Sequence, residues 1–486
     1  MTEARPMRDM TSLRRRAVVA GGRDISTRIR CALISIALAL LIPSGAAAQH
    51  FASDEDLTAL IRSRVEEDRA VGIVLGVMEA DGTTRVVWYG DAGPDSRPLG
   101  IRSVFEIGSI TKVFTGILLA DMAARGEVSL SDPVSSHLPD GVTMPSRAGR
   151  EITLLDLSTQ HSGLPRLPDN MSPADMTNPY ADYTVEQMYK FLADHELRRD
   201  IGSEYEYSNF AVGLLGHVLA RVAVGSYEDV VRERILEPLG MTMTGITLDG
   251  DMREWMVEGH DQQGEVVPLW DFPTLAGAGA LRSDVGDMLT FLAANTGPPQ
   301  SQLERSMRDS HEVRKNINEQ MGIRLNWHVR RVGEEEIVWH NGGTAGFRTW
   351  VGFDPAKGVG AVVLTNSAHG ADDIGFHLVN PEASLASAPV APEERTEVEV
   401  ADNVLESYVG EYELAPTFSI AVTLEDGALF IQATGQPKFP VFAESETKFF
   451  LKVVDAQVSF TKDDSGVVTG MILHQSGANQ PGRKVR

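Results

Sequence analysis

The 486-residue sequence predicts a mixed α/β fold, a sheet flanked by helices, followed by a small all-β domain. Three observations lead there. Strand-like apolar runs lie at both ends of residues 51–376, so the sheet draws on distant parts of the chain. Strongly apolar helical segments fill the interval. From Val404 onward the pattern changes to short alternating strands separated by turn residues.

Periodicity and punctuation give the order of elements. Residues 73–78 and 84–89 are strand-like and flank Asp81-Gly82, a hairpin signal. Ile110, Val113, Phe114, Ile117, Leu118 and Met122 recur at helical spacing, and Arg125-Gly126 reads as a helix end. Residues 156–164 predict a helix running into a loop, and residues 210–223 and 285–294 predict apolar helices. Strands are expected at 337–340, 350–353 and 360–364. Residues 381–402 carry Ala, Pro, Glu and Ser with few large apolar groups, and read as a linker between a 49–380 domain and a 403–486 domain. Strands of the second domain are broken by Glu425-Asp426-Gly427, Asp463-Asp464-Ser465-Gly466 and Ser476-Gly477, which fits a β-sandwich or barrel.

The first 48 residues have the make-up of an export signal. Eight arginines accompany three acids, a short apolar run follows from Cys31 to residue 42, and Ala46-Ala47-Ala48 offers a cleavage site before Gln49. Periplasmic or secreted placement is therefore expected, with no membrane span left once the signal is removed. Removal would leave 36 of 44 basic and 65 of 68 acidic residues, a formal charge of about −29. Such a surface argues against nucleic acid or an anionic membrane as partner. Cys31 leaves with the signal, so the mature chain has no thiol for disulfides or thiolate metal sites. Composition does not set the oligomeric state.

Ser109-Ile110-Thr111-Lys112 puts a hydroxyl and an amine at i and i+3 of a predicted helix start, close enough to touch. A desolvated lysine can take the proton of a serine, and free N–H groups of the helix start face whatever the serine attacks. Ser-x-x-Lys also occurs at Ser445–Lys448 and Ser459–Lys462, but in strand-like segments, where i and i+3 point to opposite faces. Tyr207 and Asn209 straddle Ser208 just before the 210–223 helix. One reading is a helix cap with a packed tyrosine. The other makes Tyr207 a proton acceptor, lowered from its usual pKa of about 10 by nearby cations, and Asn209 an amide donor to substrate. His340-Asn341-Gly342-Gly343-Thr344 ends a predicted strand, where small residues let a substrate backbone approach. The other histidines lack a His-Glu-x-x-His arrangement, so neither zinc nor another cofactor is expected. No serine has glycine at both ±2, which removes the nucleophile elbow.

Together, Ser109-x-x-Lys112, Tyr207-Ser208-Asn209 and His340-Asn341-Gly342 resemble the three ordered motifs of class C β-lactamases and the related DD-peptidases, esterases and D-aminopeptidases. Gln160-His161-Ser162-Gly163-Leu164-Pro165, Glu237-Pro238-Leu239-Gly240-Met241 and Ala278-Gly279-Ala280-Leu281-Arg282-Ser283 are similar to recurrent segments of that family, and the resemblance spans residues 55–370. It implies a helical subdomain packed on an antiparallel sheet, with helices on the other face and the site between. It also implies Ser109 as nucleophile, Lys112 as its proton partner, Tyr207 as base and Asn209 as holder of the acyl-side amide. The N–H groups of Ser109 and Gly343 would form the oxyanion hole.

One departure from the pattern stands out. Class C β-lactamases usually carry lysine where this chain has His340, and histidine is mostly neutral at pH 7. Attraction for a substrate carboxylate should therefore weaken and improve in mild acid, with Arg348 the candidate substitute cation. The resemblance implies an acyl-enzyme on Ser109 and a small-molecule substrate, a β-lactam or a D-amino-acid amide. A short-chain carboxylesterase and a β-lactam-binding protein that does not deacylate remain as alternatives.

Overall fold

A computed structural model describes residues 49–485, apart from residues 313, 388–394, 416–417, 426, 435–437, 453–455, 464 and 476–477. The signal expected over residues 1–48, with Cys31, lies outside the described residues. So do part of the linker and the turn residues Asp426, Asp464, Ser476 and Gly477.

Helix α1 (Asp54–Glu66) opens at Ser53, whose side chain accepts from the Asp56 amide, with three acids in the first turn against the positive helix end. Strands β1 (Gly72–Met78) and β2 (Thr84–Gly90) form the expected hairpin. Helix α2 (Thr111–Ala124) is buried at every position from Thr111 to Met122. A helix buried all round belongs at the centre of a domain, although the apolar stripe alone reads as one-sided. Helix α3 (Asn209–Val222) is capped by the Ser208 side chain, which accepts from the Ala211 amide. Helix α4 (Val285–Thr296) is capped by Asp284 in the same way.

Six further strands follow: β3 (Lys315–Asn316), β4 (Met321–Ile323), β5 (His328–Val332), β6 (Glu335–Gly343), β7 (Arg348–Asp354) and β8 (Val359–Thr365). Helix α5 (Asp372–Val379) completes the unit. The sheet runs β2-β1-β8-β7-β6-β5-β4-β3, and its neighbours pair antiparallel. Its first and last long strands meet at Ile73↔Thr365, so the chain does close the sheet from both ends.

Period-two alternation divides this unit into two cores. Val74 and Met78 of β1 face a core with α2, α3 and α4, while Ile73, Leu75 and Val77 face a second core with α1 and α5. The result is a sheet between two helical layers, matching the architecture the motifs imply. No single helix among the described residues is long and apolar enough to cross a membrane.

After α6 (Asp402–Tyr408), eight strands run as a meander: β9 (Gly410–Ala415), β10 (Phe418–Glu425), β11 (Ala428–Ala433), β12 (Lys438–Ala443), β13 (Lys448–Phe450), β14 (Ala456–Lys462), β15 (Val468–Gln475) and β16 (Ala478–Lys484). The last strand pairs back onto the first at Tyr412↔Lys484, so the domain is a closed barrel. Closure leaves no sheet edge to protect. Tyr408 stacks on Phe460 at 4.1 Å, and Tyr412 Oη donates to the Tyr408 carbonyl at 2.7 Å. The barrel core shares no residue with the two cores of the sheet unit.

A chain ending at residue 387 should therefore keep a cooperative thermal transition and ester hydrolysis within about twofold of the full chain. Loss of the transition in calorimetry would make the barrel integral to the sheet unit.

Candidate active site

Backbone contacts build the site. The strand end Phe105–Glu106 runs into a single 3-10 turn, Gly108–Ile110, before α2 begins, so Ser109 sits on that turn and Lys112 in the first turn of α2. The turn is clamped from two sides. Ile107 donates to the Leu281 carbonyl, and the Leu281 amide donates to Thr111 Oγ1. The Ile107 carbonyl accepts from Thr349 Oγ1 of β7 at 3.0 Å. Beneath lies a buried ion pair, Glu106 with Arg282, at 3.2 Å.

Two glycines let the end of β6 lie directly against this turn. Gly108 adopts φ +51°, and a Cβ there would sit 2.7 Å from the Gly343 nitrogen. A Cβ on Gly342 would sit 1.9 Å from the Ile107 carbonyl oxygen. The small residues of this strand end thus serve its approach to the Ser109 turn.

Lys112 is fully buried. Its Nζ lies 2.9 Å from Ser109 Oγ and donates to the Ala278 carbonyl at 2.6 Å. Burial pushes the amine well below its usual range, and the charge of Arg166 adds to the effect. Ser109 itself is partly exposed.

The loop before α3 brings Tyr207 alongside. The Ser208 amide donates to Gln160 Oε1 at 2.7 Å, and the Glu206 amide to the Gln160 carbonyl. Lys112 Nζ lies 4.9 Å from the Tyr207 ring centre, and the phenol hydrogen-bonds with Ser109. Desolvation raises the phenol above its usual range, outweighing the Ser109 contact and the Arg166 charge that lower it. This reverses the expectation that cations lower Tyr207: Arg166 does act in that direction, but desolvation of the buried phenol is the larger effect.

Asn209 Nδ2 donates to Tyr180 Oη at 2.9 Å, leaving its Oδ1 buried without a partner among the described residues. His340 faces Tyr207, with ring centres 6.2 Å apart. Its Nδ1 lies 2.6 Å from the Asn341 carbonyl, so Nδ1 carries the proton and Nε2 keeps a lone pair. Burial, then His328 and Lys112, push this ring well below its usual range. Protonation in mild acid, expected from the sequence, is therefore not available to it. His328, held at about 4 chiefly by burial, packs 5.0 Å from His340 and pairs with Tyr205 Oη at 2.8 Å.

Two expected substrate contacts are placed differently. Asn341 follows His340 on a pleated strand, so its side chain turns to the opposite face and donates to Asp372 of α5 at 2.6 Å. Arg348 Nη1 donates to the Thr344 and Phe347 carbonyls, at 2.6 and 2.8 Å, which ties it to its own turn. Sequence reasoning missed Arg166, Tyr180 and Tyr205. Tyr205 was within reach, because it shares strand-like spacing with Tyr207, and Arg166 directly follows the Gln160–Pro165 motif. Tyr180 carries no local signal.

Gly108→Ala should lower ester-hydrolysis kcat/KM on the order of 100-fold, the scale of a misplaced nucleophile. Gly126→Ala, at φ +73° with open space around it, should cost only stability. Equal activities for the two variants, measured beside their thermal unfolding, would show that Gly108 does not set the turn.

The chain is similar to known proteins over most of its sheet unit. The sequence model of the Beta-lactamase family matches residues 57–379, and one described as a domain of unknown function matches residues 394–484. The chain is 31% identical over 318 residues to the D-alanyl-D-alanine-carboxypeptidase/endopeptidase AmpH of Escherichia coli (strain K12), covering 61% of this chain and 80% of that one. A β-lactamase of Pseudomonas fluorescens is 25% identical over 350 residues, covering 64% of this chain and 94% of that one. The crystal structure of a class C β-lactamase from Rhodobacter sphaeroides matches at 26% identity with a TM-score of 0.56, over 64% of this chain and 93% of that one. With its sheet unit matched almost throughout and a buried amine held against Ser109, the chain belongs to the Beta-lactamase family of serine hydrolases.

Proposed function

We propose that this chain is an exported hydrolase that cleaves D-amino-acid peptide bonds through an acyl-enzyme on Ser109, with β-lactams entering as acyl donors to the same serine. The observation that carries it is the fully buried Lys112 amine 2.9 Å from Ser109 Oγ, its ionisation pushed by burial well below the usual lysine range. A neutral amine is a base, whereas an ammonium is not.

In this reading Lys112 Nζ takes the Ser109 proton as Oγ bonds to the acyl carbon. The amides of Ser109 and Gly343 receive the charge that develops on the carbonyl oxygen. Tyr207, held protonated, gives its proton to the leaving nitrogen as the C–N bond breaks. The Lys112 ammonium then returns a proton to the phenolate, which restores the neutral pair. Water next attacks the ester, losing its proton to the same pair while Ser109 Oγ regains one. Asn209, with a spare buried acceptor, would hold an N–H of the acyl side. The similarity to a D-alanyl-D-alanine-carboxypeptidase/endopeptidase supports the substrate class. The composition of residues 1–48 supports export.

A short-chain ester is the second reading, favoured by His340, an uncharged acceptor where a charged substrate would meet a lysine. Intact mass spectrometry after mixing with a penicillin and, separately, a p-nitrophenyl ester reports the adduct, its site and its lifetime. A stable penicillin adduct without turnover would instead mark a binding protein.

Ser109→Ala should leave less than about one part in a thousand of wild-type turnover. Lys112 ionises at a pKa depressed below its usual 10.5, so kcat/KM should fall as acid protonates it. Tyr207, shifted upward, should give no alkaline loss below pH 10. Lys112→Arg, charged at every pH, should abolish turnover throughout, and a variant retaining the wild-type acid limb would exclude Lys112 as the base.

A further inference from the structure

We propose that Arg166 is the specificity-determining residue of this site, binding a carboxylate on the leaving-group side of the substrate. The inference deepens the hydrolase reading above and rests on it. Arg166 is exposed, with its guanidinium carbon 5.2 Å from the centre of the Tyr207 ring. No ion-pair partner for it occurs among the described residues, while other arginines near the cleft are committed. Arg199 pairs with Glu206, Arg282 with Glu106, and Arg348 with carbonyls of its own turn.

Its position is fixed by the same helix start that positions Tyr207 and Asn209. The Ser208 hydroxyl donates to the Pro165 carbonyl at 2.6 Å, and the Phe210 amide donates to the Arg166 carbonyl at 3.2 Å. Hydrogen bonds from the residues on either side of Asn209 thus hold residues 165 and 166 against the site. A guanidinium stacked on an aromatic face keeps its edge N–H groups free, and that edge matches a carboxylate in a two-point contact.

Two other basic groups of the site are poor substitutes for it. Lys112 is buried and shifted toward its uncharged form, and His340 is buried with its one N–H turned to a backbone carbonyl. From residue 49 onward the chain carries 65 acidic and 36 basic residues, so its overall field repels an anion. A free carboxylate therefore depends on a local cation. Because the mechanism proposed above has Tyr207 protonate the departing nitrogen, a charge at the rim of Tyr207 selects a leaving group with a free α-carboxylate, a C-terminal D-amino acid.

The test compares two aryl esters, one whose leaving phenol carries a carboxylate and one with the matching carboxamide, beside an acyl-D-Ala-D-Ala peptide and its C-terminal amide. Arg166→Gln should lower kcat/KM on the carboxylate ester about 10- to 100-fold, mainly through KM, as for one lost charged hydrogen bond. The carboxamide ester should change less than about threefold, and Arg166→Lys should recover part of the loss. Equal losses on both esters would reduce Arg166 to a support for Tyr207, and no loss would remove it from the site; either overturns the proposal. Failure of wild-type protein to cleave either peptide, with the ester contrast intact, would instead sink the D-peptide reading and leave Arg166 as the anion reader.

Discussion

The site depends on one constraint, that a lysine amine be held out of solvent against a serine hydroxyl. An isolated ammonium in an apolar interior is costly enough that the group neutralises instead. The protein enforces this by making α2 its central helix, buried along twelve consecutive residues. Gly116 shows how close that packing is, because a Cβ there would lie 2.2 Å from the Leu325 carbonyl. The Ala278 carbonyl gives the amine a partner that orients it without supplying charge. An acid in that place would have restored the ammonium and removed the base.

The second requirement is that parts distant in sequence meet within bonding distance. Ser109 comes from a turn near the start of the unit, Tyr207 from the start of α3, and Gly343 from β6 near its end. The antiparallel sheet solves this by joining β1 to β8, which brings residues from both ends side by side. The Thr349–Ile107 bond and the contact of Gly108 with Gly343 then tie the Ser109 turn to the adjoining ends of β6 and β7.

Much of this was legible from residue pattern alone. The hairpin, α2, α3, α4 and β6 to β8 announce themselves by periodicity, and three motifs in order name the site. What escaped has physical causes. Strands β3 to β5 carry polar and basic residues such as Lys315, Arg330 and Arg331 at a sheet edge, so no apolar alternation marks them. Sandwich and barrel share one alternation, and only the return of β16 to β9 separates them. The direction of the Tyr207 shift is set by the burial of the phenol itself, which spacing does not encode. The face of Asn341 was readable, since a strand that turns His340 toward the site must turn Asn341 away.

His340 redistributes the electrostatics of this cleft. A lysine there would be an ammonium close to both Lys112 and Tyr207, lowering each and attracting anions to the centre. Histidine in this setting does neither. Its Nδ1 proton goes to the Asn341 carbonyl, and Nε2 offers a lone pair to whatever lies beside Tyr207. The groups at the centre, Lys112, Tyr207 and His340, are all shifted toward their uncharged forms, while Arg166 stands exposed against the Tyr207 ring. Under that division acylation needs no net charge on the substrate, and preference for an anion becomes a property separable from the bond-breaking machinery.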